Sequence, residues 1–180
     1  ELKGRKLNFL KNKKTRPLKD NVKENIFNII EHSKRINLKI KNSNVLDLFS
    51  GVGSFGIECL SRGAKYVVFI ENYDGVLPIL KKNLSNLKNN SNYKILYQDI
   101  YEDKTLKKLD IKFDIIFLDP PFKDKKIEKL LFDIENTKIL NRNGIIILHR
   151  HKKDFNSIPP DLKIIEEKNY GLSKIIFITI

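Results

Sequence analysis

Val45-Leu46-Asp47-Leu48-Phe49-Ser50-Gly51-Val52-Gly53-Ser54-Phe55-Gly56 decides the fold. A short apolar run, Val45–Phe49, opens it; a glycine-rich turn follows, and a helical pattern covers about 54–62. Glycines at such a turn let backbone approach a ligand without a Cβ in the way. The same alternation continues downstream. Strand patterns fall at Tyr66–Ile70, Tyr93–Tyr97, Phe113–Leu118 and Ile145–Leu148, and helical ones at about 75–88 and 124–139. Short apolar runs without polar alternation indicate strands buried on both faces, hence a parallel sheet. Leu162–Glu166 and Lys174–Ile180 follow with no helical pattern between them, so the sheet is expected to end in an antiparallel strand. The expected fold class is α/β: a doubly wound, Rossmann-like, mostly parallel sheet. Its ligands bind beyond the carboxyl ends of the strands, near a topological switch point.

Upstream, Lys6–Leu10 reads as a short strand or hairpin, and Lys11–Lys19 as a basic loop. Asp20 is placed to cap a helix running to about Arg35, with Val22, Ile26, Phe27, Ile29 and Ile30 as its apolar face.

The glycine turn, Glu71, Asp99 and Asp119 each fall just after a strand pattern, on one rim of the sheet. Of these, Asp119 heads Asp119-Pro120-Pro121-Phe122. A carboxylate, two rigid prolines and an aromatic ring suit chemistry on the exocyclic amine of a flat base. Such an amine is a poor nucleophile, because its lone pair is delocalised into the ring. The Asp119 carboxylate and the Pro120 carbonyl can hold its two hydrogens and turn the lone pair toward an electrophile. The prolines fix φ and bring no N–H to compete for those acceptors. Phe122 offers a stacking face for an extruded base. The same four residues also make an ordinary strand-ending turn.

Gly51-Val52-Gly53-Ser54-Phe55-Gly56 matches the G-x-G-x-x-G pattern, so a nicotinamide dinucleotide has to be weighed. Asp47, four positions before the first glycine, would repel a pyrophosphate and welcome a cationic amino group. S-adenosylmethionine fits better: its ammonium meets Asp47 and its methionyl tail lies along Phe49, Ser50, Gly51 and Gly53. Glu71 is placed to accept the ribose hydroxyls and Asp99 the adenine amino group, with Ile100 packing on the ring. For Glu71 and Asp99 the alternative is a surface carboxylate at a loop start.

The chain of 180 residues, 41% of them hydrophobic, is long enough for one domain with a full core. No apolar run approaches the roughly 20 residues of a membrane span. Glu1-Leu2-Lys3-Gly4-Arg5-Lys6 is charged and has no apolar signal region. With no methionine in the chain, residues are expected to precede Glu1. The single Cys59 allows neither an intrachain disulfide nor a cysteine zinc site, which suits a reducing cytoplasm. His32, His149 and His151 lack metal-site spacing, so no metal is expected.

Net charge is +13, and residues 1–41 carry +9 of it (13 Lys or Arg against 4 Asp or Glu). Two parts are therefore expected: a basic N-terminal extension over 1–41, packed on the core, and the α/β domain over 42–180. A basic segment beside a nearly neutral domain marks a phosphate-backbone surface, with a solvated lysine-rich tail as the alternative. Arg5, Lys6, Lys11, Lys13 and Lys14 are the candidate contacts to nucleic-acid phosphate. Arg16 either joins them, closes over the site, or pairs with Asp20 or Glu24.

These residues together resemble the RsmD-type methyltransferases, which methylate a guanine N2 of small-subunit (16S) ribosomal RNA. Gly4-Arg5-Lys6-Leu7 is similar to that family's N-terminal strand. Thr15-Arg16-Pro17 with Asp20, Val22, Lys23, Glu24, Phe27 and Asn28 is similar to its signature before the first core helix. Leu46-Asp47-Leu48-Phe49-Ser50-Gly51, Gly53, Gly56, Glu58 and Ser61-Arg62-Gly63-Ala64 match its cofactor loop and helix. Ile70-Glu71, Lys82-Asn83-Leu84, Asp99, Asp119-Pro120-Pro121-Phe122 and Tyr170-Gly171 continue in register. Leu18 and Asn21 depart from the pattern, and His149-Arg150-His151 stands where such proteins often carry an acidic residue. The resemblance implies a class I S-adenosylmethionine-dependent methyltransferase fold, with Asp119, Pro120, Pro121 and Phe122 catalytic. It implies ribosomal RNA or the small ribosomal subunit as partner, in the cytoplasm, for a protein expected to be a monomer. The competing readings are an amino-group methyltransferase acting on DNA adenine or another RNA, a dinucleotide oxidoreductase, and an inactive RNA-binding scaffold.

Overall fold

The computed structural model describes residues 7–9, 18–87, 92–102, 104–154 and 157–180. Its chain runs α1 (Asp20–His32), β1 (Asn44–Leu48), α2 (Ser54–Ser61), β2 (Tyr66–Glu71), α3 (Leu77–Ser85) and β3 (Tyr93–Tyr97). A 3-10 turn at Leu106–Lys108, β4 (Phe113–Leu118), α4 (Ile127–Thr137), β5 (Leu140–His151), β6 (Lys163–Tyr170) and β7 (Ser173–Thr179) complete it. The seven strands form one sheet in the order β3-β2-β1-β4-β5-β7-β6. β1 pairs in parallel with both β2 and β4, while β7 runs antiparallel to β5 and β6. The mostly parallel doubly wound sheet with an antiparallel C-terminal strand is thus present.

Two cores follow from the two-residue period of a strand. In the first, Val45, Phe69, Ile115, Phe117 and Ile147 pack with Val22, Ile26, Phe27 and Ile30 of α1, Phe55 of α2 and Leu80 of α3. In the second, Leu46, Leu48, Ile70, Ile116, Leu118 and Leu148 meet Ile127, Leu130, Leu131 and Ile134 of α4. A stack of rings, Phe27 on Phe55 and Phe55 on Phe117 (centroids 5.2 and 4.1 Å apart), joins α1 and α2 to the central strands.

Several expectations change at the element ends. Lys19, not Asp20, is the N-cap of α1, and no side chain caps it. Asp20 sits in the first turn, where its charge complements the helix dipole, and pairs with Lys23 at 3.2 Å. The expected strand over Lys6–Leu10 falls partly outside the described residues, and Leu7, Asn8 and Phe9 belong to no strand. β5 starts at Leu140, five residues early, because Leu140 pairs with Phe113 before a register shift and Asn141 Nδ2 donates to Asp114 Oδ1 at 2.6 Å. α3 and α4 are shorter than their periodicity suggested, each preceded by a hydrogen-bonded turn: Val76 N–H to Tyr73 O, and Asp124 N–H to Pro121 O.

The order reversal lies between β1, which leads outward to β2 and β3, and β4, which starts the other half. Leu48 and Leu118 are paired across that seam, and the Asp119 N–H reaches Leu48 O at 3.4 Å. The chain leaving β1 and the chain leaving β4 therefore open side by side.

Candidate active site

A cavity of about 490 Å³ occupies this seam. Asp47, Phe49, Ser50 and Gly51 wall it on the β1 side, Glu71 at the end of β2, and Asp119, Pro120, Pro121 and Phe122 beyond β4. Nine of the sequence candidates thus share one pocket. Gly53, Asp99 and Ile100 stand outside its wall, and Arg5, Lys6, Lys11, Lys13, Lys14 and Arg16 lie outside the described residues.

The turn after β1 is strained into shape. Phe49 takes φ 58°, in the left-handed region that costs a residue with a side chain roughly 1–2 kcal/mol. Gly53, at φ 84°, is the N-cap of α2. Glu71 ties this turn to β2: its Oε2 accepts from the Gly51 N–H at 2.7 Å, and its Oε1 from the N–H groups of Asn72 and Tyr73 at 3.0 and 2.9 Å. A carboxylate offers roughly four lone-pair sites, so little more than one stays open for a ribose hydroxyl.

Asp47 lies within β1 and is 1% exposed. Its Oδ2 accepts from the Gly56 N–H at 2.9 Å. Burial pushes its carboxyl well above the usual range; the Gly56 bond works against that, and the charges of Asp119 and Glu71 add to it. Three carboxylates therefore surround one cavity, and none of the described lining residues carries a positive charge.

Gly56 has a packing duty of its own. A Cβ there would lie 2.4 Å from Phe69 Cε1 and 2.9 Å from Asp47 Oδ2, in a core with no slack. Gly56→Ala is expected to cost about 1–3 kcal/mol through overpacking. For a chain of this size that is a melting-point drop of roughly 3–10 °C. An unchanged thermal unfolding curve would contradict the packing described.

Asp99 serves its own loop: Oδ1 accepts from the Tyr101 N–H at 3.0 Å and its carbonyl from Thr105 Oγ1 at 2.8 Å. Ile100 is buried in the second core. This loop still reaches the site through Tyr101, whose ring meets that of Phe49 (5.9 Å) and whose hydroxyl donates to Asp124 Oδ2 at 2.7 Å. Burial, with that bond, raises the Tyr101 phenol far above its ordinary value.

Sequence reasoning missed the support behind the Asp119 corner. His149 and Arg150, at the end of β5, are 2% and 4% exposed. His149 Nδ1 lies 2.8 Å from Asp119 Oδ1. The Arg150 guanidinium donates to the carbonyls of Pro121, Phe122 and Asp124 at 3.1, 3.3 and 2.9 Å, and pairs with Asp154 at 3.0 Å. Polar residues directly after the apolar run of β5, a strand next to β4, were the available signal. Phe9 and Leu18 also line the cavity. Asn83 joins Phe9's neighbour to the turn, accepting from the Asn8 N–H at 2.9 Å and donating to Val52 O at 3.1 Å.

Known proteins are similar to this one over the whole chain. A ribosomal RNA small subunit methyltransferase D of Haemophilus influenzae is 34% identical over 170 residues, covering 94% of this chain and 85% of that protein. One of Buchnera aphidicola is 33% identical over 168 residues, covering 93% and 83%. Among solved structures, yhhF of Escherichia coli superposes with a TM-score of 0.81 at 26% identity, over 97% of this chain and 91% of that one. HI0767 of Haemophilus influenzae gives 0.72 at 32% identity, over 88% and 96%. Residues 1–179 match the family described as Conserved hypothetical protein 95, and the chain belongs to it.

Proposed function

We propose that this protein transfers a methyl group from S-adenosylmethionine to the exocyclic N2 of a guanine in small-subunit ribosomal RNA. The observation that carries the reading is the shared cavity: the Asp119-Pro120-Pro121-Phe122 corner and the glycine turn wall one space large enough for reacting groups to meet. The names of the relatives supply ribosomal RNA as the substrate class.

The donor set suits S-adenosylmethionine. Ser50 lines the cavity and keeps its buried Oγ without a hydrogen-bond partner among the described residues. A Cβ placed on Gly51 would meet nothing closer than 4.0 Å among the described residues, so the turn leaves room there. The three carboxylates favour a ligand bearing ammonium and sulfonium charges and disfavour a dinucleotide pyrophosphate, the main alternative for a G-x-G-x-x-G turn. When bound, the cofactor supplies an electrophilic methyl group.

The protein's own residues then orient and stabilise. Phe122 gives the guanine a face to stack on once it leaves its helix. Asp119 and the Pro120 carbonyl accept the two N2 hydrogens, which aims the lone pair and offsets the positive charge that develops on nitrogen. The proton leaves after the new C–N bond forms, to Asp119 or to water, so no strong base is needed. Lys11, Lys13, Lys14 and Arg16 belong to the chain between Phe9 and Leu18, two residues of the cavity wall, and are assigned to RNA phosphate; Arg5 and Lys6 are assigned likewise. Asp99 and Ile100, just beyond β3, are proposed as the adenine contacts.

The test is transfer of tritiated methyl groups onto total RNA from a strain lacking the gene, followed by nucleoside mass spectrometry. N2-methylguanosine is the expected product. N6-methyladenosine, or no label, would replace this reading with one of its rivals.

A further inference from the structure

We propose that His149 is a positioning residue for Asp119: its Nδ1–H anchors Oδ1 and so fixes the direction from which the carboxylate accepts the substrate amine. The inference rests on the methyl-transfer reading above. It starts from register. Leu118 of β4 pairs with Leu148 of β5, so the next residues, Asp119 and His149, face each other across the ends of two neighbouring strands. The 2.8 Å contact between Nδ1 and Oδ1 is buried on the imidazole side and close to solvent on the carboxylate side, with side-chain exposures of 3% and 14%.

An ionised carboxylate only accepts hydrogen bonds, so in the proposed arrangement the hydrogen of this contact lies on Nδ1. That has two consequences. The carboxylate plane cannot spin about its last torsion, an otherwise broad, two-fold one, and the rest of its acceptor capacity keeps one heading. Because Nδ1 already carries a proton, it cannot take another from Asp119; the proton lost by the methylated amine therefore departs from the cavity side.

The neighbours of His149 act on the same corner. Phe122 meets His149 and His151 edge-on, at 5.7 and 5.4 Å with interplanar angles of 76° and 75°. Arg150, between them, holds the Pro121 and Phe122 carbonyls. Three consecutive residues of β5 thus fix the acid, the backbone and the ring of one catalytic corner. A misplacement of about 1 Å in such a site is enough to cost on the order of 100-fold in rate.

The experiment compares His149→Ala, His149→Asn and His149→Gln with the wild-type protein, and records long-range ¹H–¹⁵N spectra of the histidine rings in the wild type. Asparagine places an N–H close to the position of Nδ1, and glutamine places one close to Nε2. Folded His149→Ala is expected to lose about tenfold in kcat, with KM for RNA and the Kd for S-adenosylhomocysteine within about twofold of wild type; the size is that of one lost charge-assisted hydrogen bond. His149→Asn should recover most of that loss and His149→Gln little of it. Wild-type turnover in His149→Ala, or a folded His149→Asn no better than alanine, would overturn the proposal. If alanine prevents folding, the spectra decide: a proton on Nδ1 supports the assignment, and one on Nε2 alone refutes it. The spectra need no substrate, so they still judge the His149–Asp119 geometry if the wild type methylates no RNA, a result that would count against the methyl-transfer reading instead.

Discussion

Asp119→Ala is expected to lower turnover by about 100-fold or more while S-adenosylhomocysteine binds nearly as well as to the wild type. The size is that of removing one key hydrogen-bonding group from a preorganised site. The separation of rate from binding comes from the fold. Asp119 leaves β4, on the far side of the seam from the turn that Glu71 holds through Gly51. Its removal leaves that turn and the Asp47–Gly56 bond standing. One opposing effect is foreseeable: Asp119 adds negative charge near Asp47, so its loss slightly weakens the attraction for a cation. Thermal unfolding should accompany the kinetics, because the His149–Asp119 contact is lost. Turnover near that of the wild type in a folded variant would remove Asp119 from the mechanism.

Asp47→Asn should weaken S-adenosylhomocysteine binding by roughly 10- to 100-fold, the worth of a hydrogen bond to a charged group. The same change carries a pH signature whose sign follows from burial. Desolvation raises the folded-state pKa of Asp47 above its unfolded value. A group raised in this way gives its full contribution to stability below the unfolded pKa, and that contribution is lost as pH rises through the folded one. Ligand-free wild type should therefore lose melting temperature relative to Asp47→Asn as pH climbs from about 4 toward neutrality. The ligand's ammonium should return part of it to the wild type alone. Parallel curves with and without ligand would show that Asp47 does not meet the cation.

Much of this is readable in the amino-acid sequence. The apolar runs at β1, β2 and β4 lack polar alternation because both faces are covered, by α1, α2 and α3 on one side and α4 on the other. Asp119 and Glu71 were found as acids at strand ends, a position that local pattern gives directly. Less legible was whatever depends on a partner far along the chain. Asn141-Arg142-Asn143-Gly144 has no apolar pattern, yet it is strand because Phe113 pairs with Leu140 and Asp114 holds Asn141. β6 extends to Tyr170 through Glu166, Glu167 and Lys168, charged residues that suit an outer strand with an open side. His149 looked like a departure from a pattern; only the β4–β5 register turns it into a contact of Asp119. Asp99 reads as a ligand for adenine or as a surface carboxylate at a loop start, and local sequence does not show that it holds the Tyr101 N–H.

Arg150 grips the Pro121, Phe122 and Asp124 carbonyls, and the Tyr101 hydroxyl holds the Asp124 side chain. A corner braced this firmly has little left to rearrange when its target arrives, so the mechanical work of admission falls on the polynucleotide. Unstacking a base costs a few kcal/mol and least where it is already loose. On the proposed methyl-transfer reading, bases that are already unstacked should therefore be modified sooner than the same bases locked into a helix.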